Sequence, residues 1–284
     1  MSMRGSPTIV EALKDSRAWL ESNGVPNARL NAEWLLGKVI GLTRVELYTS
    51  YDRPLNAAEL AEYRALLQRR AAREPLQYIL GRWQFRRIEL KTDRRALMPR
   101  PETELTADLA IGAAREAGPE PRVLDIGTGS GCIALSVACE VPGSLVWATD
   151  IGGEALELAR ENASELHISD VTFLQGDLYE AVPRELAGTF DVIVSNPPYV
   201  TPEEYRDLQP EVRDYEPAAA LLARNGGTEF QKRLLEGAHE WLPAGGAMVL
   251  EGSPSHIPAL AESYGAEVVR DLQGLPRCLV LRTD

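Results

Sequence analysis

Apolar residues recur at helical intervals from about residue 7 to residue 73. Ile9, Val10, Leu13, Ala18, Trp19 and Leu20 make one apolar set, closed near Asn23-Gly24. Ala28, Leu30, Ala32, Trp34, Leu35, Leu36, Val39 and Ile40 make a second, stopped by Gly41. Asn56 stands where an N-cap belongs for a third helix, Ala57 to Arg73, which Pro75 blocks. The pattern predicts an all-α bundle over residues 1–74, with its Trp and Leu positions in the core.

Between Pro75 and Arg100 the pattern changes. Gln77-Tyr78-Ile79-Leu80-Gly81 and Trp83-Gln84-Phe85-Arg86-Arg87-Ile88-Glu89-Leu90 read as a short hairpin, making residues 75–100 a linker. The linker carries Arg82, Arg86, Arg87, Lys91, Arg94, Arg95 and Arg100. Such a set reads either as a solvated face or as a dock for an acidic macromolecule. Arg100-Pro101-Glu102-Thr103-Glu104 then opens a helix with proline and acidic residues in its first turn. Residues 101–284 alternate apolar runs with helical stretches, as a parallel-sheet domain does. The last two runs, Glu267 to Arg270 and Cys278 to Leu281, lie close enough in the chain to pair antiparallel.

Two strand ends in this second domain carry candidate chemistry. Val123-Leu124-Asp125-Ile126 reads as a strand, followed by Gly127-Thr128-Gly129-Ser130-Gly131 and an apolar helix from Cys132 to Ala138. Glycines at a strand-to-helix turn let a ligand approach the backbone closely. The dinucleotide fingerprint wants a third glycine at position 132, which is Cys132, so that pattern fails. The next strand, Leu145 to Thr149, ends in Asp150, positioned to hold ribose hydroxyls. Together they point to an adenosine-containing cofactor.

The other strand end is Asn196-Pro197-Pro198-Tyr199, after the apolar run Phe190 to Ser195. Two prolines cannot continue a ladder, so the chain leaves the sheet in one stiff conformation. A side-chain amide, backbone carbonyls and an aromatic ring are thereby gathered at the edge where open α/β sheets bind ligands. The Asn196 side-chain oxygen and the Pro197 carbonyl can each accept one N–H of a planar –NH2 group, and Tyr199 can cover its flat face. The bland alternative is a proline-rich strand exit with no role.

Composition narrows the possibilities. The 284 residues exceed a usual single domain, which predicts two. A formal net charge of −12 weighs against a nucleic-acid surface as the main partner. No apolar stretch has membrane-spanning length, and Met1-Ser2-Met3-Arg4-Gly5-Ser6 lacks a signal-peptide core, so a cytoplasmic location is expected. Cys132, Cys139 and Cys278 have no paired spacing, and Cys132 and Cys139, two turns apart on one predicted helix, read as small core residues. His167, His239 and His256 are scattered, and no metal site is read.

The glycine turn, Asp150 and the Asn-Pro-Pro-Tyr exit together resemble the class I methyltransferases that use S-adenosylmethionine. That resemblance implies a Rossmann-like, mostly parallel seven-stranded sheet, here with a small all-α N-terminal domain. It also sets Asp177, at the end of Val171 to Gly176, against the adenine, with Leu178 as an apolar wall. Over nearly its whole length the chain is similar to the HemK/PrmC family, the peptide chain release factor glutamine methyltransferases. The match includes Pro75-Leu76-Gln77-Tyr78-Ile79-Leu80-Gly81, Met98-Pro99-Arg100-Pro101-Glu102-Thr103-Glu104, Glu211-Val212-Arg213 and Tyr215-Glu216-Pro217.

The resemblance implies methylation of the glutamine amide in the Gly-Gly-Gln tip of class I release factors, giving N5-methylglutamine and S-adenosylhomocysteine. The helical domain would recognise the substrate. Asn196, Pro197 and Tyr199 would be catalytic, and these with Pro198 would bind substrate. Gly127, Thr128, Gly129, Ser130, Gly131, Asp150, Asp177, Leu178 and Asn196 would bind the cofactor, with Arg100 and Pro101 as secondary candidates. The rival readings are a ribosomal-protein glutamine methyltransferase, an adenine-N6 nucleic-acid methyltransferase, which needs a basic, base-flipping surface, and a scaffold that keeps only the cofactor fold.

Overall fold

Side-chain caps set the helices of the N-terminal region. The structure is a computed structural model that describes residues 6–284; Met1 to Gly5, read above as lacking a signal-peptide core, lie outside the described residues. Thr8, Thr43 and Asn56 each cap a helix and each meets a glutamate three residues on, so that two orphan backbone donors are satisfied reciprocally. The helices are α1 (Ile9–Ser22), α2 (Ala28–Ile40), α3 (Arg44–Thr49), α4 (Ala57–Ala71) and α5 (Leu76–Leu80). Leu20, Leu35, Leu36, Leu47, Tyr63 and Leu67 are fully buried among them. Trp34, expected in the core, is exposed. Helix α3 was not anticipated. Helix α5 replaces the first arm of the expected hairpin, because Pro75 opens a turn there and Gly81 closes it in the left-handed conformation.

The chain divides into two units, and the division differs from the expected one. The first unit runs to Arg82 and also takes in Gln209–Tyr215. Within it, Arg70 Nη2 donates to Glu211 Oε1 at 2.7 Å and Arg73 Nε to the same oxygen at 2.7 Å. Arg70 also donates through Nε to Asn31 Oδ1 at 2.7 Å, and Arg70 and Glu211 are both buried. Tyr215 donates its hydroxyl to the Ala72 carbonyl at 2.7 Å.

The second unit comprises Trp83–Leu208 and Glu216–Asp284. Near its start lie β1 (Arg82–Phe85), all but its first residue in this unit, and β2 (Ile88–Lys91), which pair as a hairpin, followed by α6 (Thr103–Ala117). Helix α6 begins two residues later than expected, with Glu102 at its N-cap, so Pro101 precedes it. Then come β3 (Arg122–Ile126), α7 (Cys132–Glu140), β4 (Leu145–Asp150), α8 (Gly153–Glu165), β5 (Val171–Gln175), β6 (Val192–Ser195) and α9 (Pro202–Asp207). The turn α10 (Pro210–Arg213) belongs to the first unit; α11 (Glu229–Trp241), β7 (Ala247–Glu251), α12 (Ile257–Tyr264), β8 (Glu267–Arg270) and β9 (Pro276–Arg282) complete the second.

The seven-stranded sheet has the order β5-β4-β3-β6-β7-β9-β8. Strands β5 to β7 are parallel, while β9 runs antiparallel to both β7 and β8. Central strand β6 is buried along its whole length, as a parallel strand covered on both faces must be. One apolar layer joins β-strand residues to α6 and α7; the other joins Phe190, Met248 and Leu250 to α11 and α12. The linker cations divide: Arg82, Arg87 and Arg94 are exposed, as a solvated face requires, while Arg86, Lys91, Arg95 and Arg100 pair with acidic side chains. Arg86 Nε donates to Glu140 Oε1 at 2.8 Å, and Lys91 and Arg95 both pair with Glu161. Of the two cysteines expected in the core, Cys132 is half-buried and Cys139 exposed, while Cys278 is buried.

Candidate active site

Strands β3 and β4 are in register, so Ile126 lies beside Thr149 and their following loops meet at the carboxyl edge of the sheet. The Thr149 carbonyl accepts from Gly127 N at 2.8 Å and Thr128 N at 2.9 Å, which clips the glycine loop onto β4. Asp150 holds it from the other side. Its Oδ2 accepts from Gly129 N at 2.9 Å and its Oδ1 from Gly152 N at 2.8 Å. Each carboxylate oxygen keeps a further lone pair for a ligand. Burial raises the pKa of Asp150, and the backbone amides of Gly152 and Gly129 oppose the rise.

Asp125 lies under the same loop and is fully buried. Its Oδ2 accepts from the Thr128 hydroxyl at 2.7 Å and from Ala134 N at 3.1 Å, a loop-shaping role. Burial pushes its carboxyl up to about 7. Asp125 Oδ1 and Thr149 Oγ1 are buried without a hydrogen-bond partner among the described residues.

A cavity of about 410 Å³ opens over these loops. It brings together Gly127, Thr128, Gly129, Ser130, Asp150, Asp177, Leu178, Asn196, Pro197 and Pro198, all named from the sequence. Asp177 also receives a hydrogen bond from Arg233 Nη2 at 2.7 Å. Two named residues fall outside the lining. Gly131 is the N-cap of α7 at φ +85°, and a Cβ there would lie 3.0 Å from Leu135 Cδ1 and 3.3 Å from Ala159 Cβ. Helix packing is therefore enough to require a glycine there. Tyr199 is half-buried within electrostatic reach of Glu251 and Arg277, and burial pushes its hydroxyl up to about 12.

Arg100 and Pro101 do not line the cavity either. Arg100 pairs with buried Glu216, whose Oε2 also accepts from Met98 N at 3.2 Å. That pair fixes the segment Ala96 to Pro99, which forms cavity wall and was missed from the sequence. Thr103, Cys132 and Phe230 were missed as well. Only the Met98-to-Glu104 segment, already singled out as a match, carried a signal for any of them.

The Asn196 side chain is held at one end. Its Nδ2 donates to Thr103 Oγ1 at 3.1 Å, which leaves Oδ1 as its free acceptor. Thr103 Oγ1 in turn donates to Glu251 Oε1 at 3.3 Å, and Thr106 Oγ1 donates to Glu251 Oε2 at 2.7 Å. Burial raises the Glu251 carboxyl, while the two hydroxyls favour its charged form.

Residues 11–81 match the family model of the PrmC N-terminal domain, and residues 109–228 that of the methyltransferase small domain. The release factor glutamine methyltransferase of Geobacter sulfurreducens is 43% identical over 244 residues, covering 86% of this chain and 84% of that protein. The release factor glutamine methyltransferase of Chlorobaculum tepidum is 38% identical, covering 94% and 90%. This chain belongs to the release factor glutamine methyltransferase family. Among solved structures, the release-factor-specific protein-(glutamine-N5) methyltransferase of Alicyclobacillus acidocaldarius is 24% identical with a TM-score of 0.41, covering 66% of this chain and 94% of that one.

Family membership implies S-adenosylmethionine as cofactor, and the cavity residues fit it. The unpartnered Thr149 hydroxyl and the spare lone pairs of Asp150 suit a hydroxyl-rich nucleoside, and Leu178 offers an apolar surface beside them. In this member of the release factor glutamine methyltransferase family, the sheet is mostly parallel with an antiparallel β9, as the resemblance to class I methyltransferases implied. Among the described residues no helix is long and apolar enough to cross a membrane.

Proposed function

We infer that this chain transfers a methyl group from S-adenosylmethionine to the side-chain amide nitrogen of the glutamine in the Gly-Gly-Gln motif of class I peptide chain release factors. Family membership supports the reaction and the protein substrate. The observation that carries the assignment to this cavity is Asn196, tied down through Nδ2 and open at Oδ1.

A primary amide nitrogen is a weak nucleophile because its lone pair is delocalised into the carbonyl. Its two N–H groups are the available handles. Asn196 Oδ1 accepts one and the Pro197 carbonyl the other, and neither Pro197 nor Pro198 supplies a competing backbone donor. Two acceptors aim the nitrogen and stabilise the positive charge it gains as the new N–C bond forms at the expense of the sulfonium S–C bond, and the nitrogen then sheds one of its two protons to solvent water. Positioning alone contributes about 7–11 kcal/mol in well-oriented systems.

Bound S-adenosylmethionine supplies an electrophilic methyl carbon on a sulfonium. Asp150 would hold the ribose hydroxyls, Asp177 and Leu178 the adenine, and Gly127 to Ser130 the backbone path between them. A sulfonium needs no Lewis acid, so no metal is assigned. The net charge of −12 accords with a protein substrate over a nucleic acid. The site of action is the cytoplasm, where translation terminates.

The test is label transfer from methyl-labelled S-adenosylmethionine to four acceptors: a class I release factor, its Gly-Gly-Ala variant, ribosomal protein and DNA. Label on the release factor alone is the expected result. Label on DNA, or equal label on the Gly-Gly-Ala variant, would overturn the assignment.

A further inference from the structure

The role given to Asn196 depends on which way its amide faces. The side chain is nearly symmetric in shape, and the flipped form would turn two N–H donors toward a substrate that also brings N–H donors. Something must break that symmetry. The hydrogen bonds behind Asn196 do so. Thr103 Oγ1 stands between Asn196 Nδ2 at 3.1 Å and Glu251 Oε1 at 3.3 Å. A threonine hydroxyl has one proton, and that of Thr103 is directed at the Glu251 Oε1 oxygen, which accepts it. The proton of Thr103 goes to Glu251, so its oxygen is left to accept from Asn196.

The other side of Glu251 is closed. Its Oε2 takes the Thr106 hydroxyl at 2.7 Å, and Cys278 Sγ lies 3.3 Å from that hydroxyl. Thr103, Thr106, Glu251 and Cys278 are 3%, 0%, 1% and 0% exposed, so water does not rearrange the chain of bonds. The four residues come from the first turn of α6, the end of β7 and strand β9, all within the second unit. Glu251 is buried, and besides the two hydroxyls only the more distant charge of Arg277 favours its ionised form, a costly environment for a carboxyl. Packing alone gives no reason to place it there.

We propose that Thr103 and Glu251 are positioning residues for the methyl transfer, acting through Asn196 to keep Oδ1, and not Nδ2, facing the acceptor nitrogen. This rests on the reading of Asn196 given above. Glu251→Gln is the sharp perturbation. A glutamine can donate to Thr103 Oγ1, which frees the threonine proton to point at Asn196 and favours the flipped amide.

Two independent measurements test it. The first needs no substrate: hydrogen exchange of the Asn196 side-chain amide by nitrogen-15 NMR, with the resonance assigned by its loss in Asn196→Ala. Slow exchange in the wild type and Thr103→Ser, and fast exchange in Thr103→Val, is expected. Equal protection in Thr103→Val would overturn the proposal. The second is turnover on a release factor that the wild type labels. Thr103→Val and Glu251→Gln should each lose about 100-fold in kcat, the cost of misplacing one reacting group. S-adenosylmethionine affinity by calorimetry should stay within about threefold, and Thr103→Ser should recover most of the loss. In an Asn196→Ala background Thr103→Val should cost nothing more, because its route is already cut. An additional full loss there, or Thr103→Ser as poor as Thr103→Val, would make the role structural and sink the proposal. Failure of the wild type to label the release factor would instead count against the substrate reading, leaving the exchange measurement to decide the relay.

Discussion

Replacing Asp125 by asparagine separates charge from shape beneath the glycine loop. Asp125 is 0% exposed, and its carboxyl is pushed from an ordinary 3.8 up to about 7, first by burial and then by the nearby charge of Asp150. The Thr128 hydroxyl and the Ala134 amide pull the other way. The sign follows from linkage. A carboxyl whose folded pKa is raised favours the protonated native state, so its contribution is full below pH 3.8 and is lost as pH rises to about 7. Integrated between pH 5 and pH 8, the wild type loses about 3 kcal/mol that the neutral amide does not. The oxygen of the introduced amide can still accept from Thr128 and Ala134, so the loop keeps its shape, while the new NH2 becomes a buried donor costing about 1–3 kcal/mol at either pH. That cost cancels when the two pH values are compared. The assay is urea unfolding of wild type and Asp125→Asn at pH 5 and pH 8. The stability gap should move by about 3 kcal/mol in favour of the variant at the higher pH. S-adenosylmethionine affinity should change little. A gap that does not move would mean that Asp125 is ionised in the native state throughout, and would refute the claim that burial dominates its environment.

Asn196→Ala should lose about 100- to 1000-fold in turnover, the usual cost of one transition-state hydrogen-bonding group, with cofactor binding measured by calorimetry nearly unchanged. A release factor with Gly-Gly-Glu should be labelled about 10,000-fold more slowly than Gly-Gly-Gln in a competition assay, since two fixed acceptors would face carboxylate oxygens. Gly131→Ala should lower stability by about 1–3 kcal/mol in thermal denaturation, because the new Cβ meets Leu135 Cδ1 at 3.0 Å. Glu211→Gln should cost about 3 kcal/mol, because Arg70 stays buried without its countercharge; limited proteolysis should then cut within residues 209–215 in the variant and not in the wild type.

Much of the fold was legible because its signals are local. Asn56 with Glu59, the apolar runs of β3 and β6, and the glycine loop declare themselves within a few residues. The errors have the same logic in reverse. Tyr78-Ile79-Leu80 looks like strand by residue type, and only the proline before and the glycine after mark it as the helix it forms. Thr43 with Glu46 was a capping box in plain view, but α3 has six residues and too little periodicity to notice. Glu211 could not be assigned to the helical unit from the sequence, because its partner Arg70 lies 141 positions away.

The candidate site shows where local reading stops. The Asn-Pro-Pro-Tyr exit fixes the backbone at Asn196 and Pro197, since prolines set φ and remove donors. It does not fix where the next ring points, and Tyr199 lies outside the cavity lining. Nor does it fix the orientation of the Asn196 amide. That depends on Thr103, 93 residues earlier, and through it on Glu251, 148 residues from Thr103. A short motif therefore specifies which groups reach the acceptor nitrogen, while the face each presents is decided by contacts that only the folded sheet creates. The same tetrapeptide could then present the same atoms with different polarity, according to what stands behind its first residue.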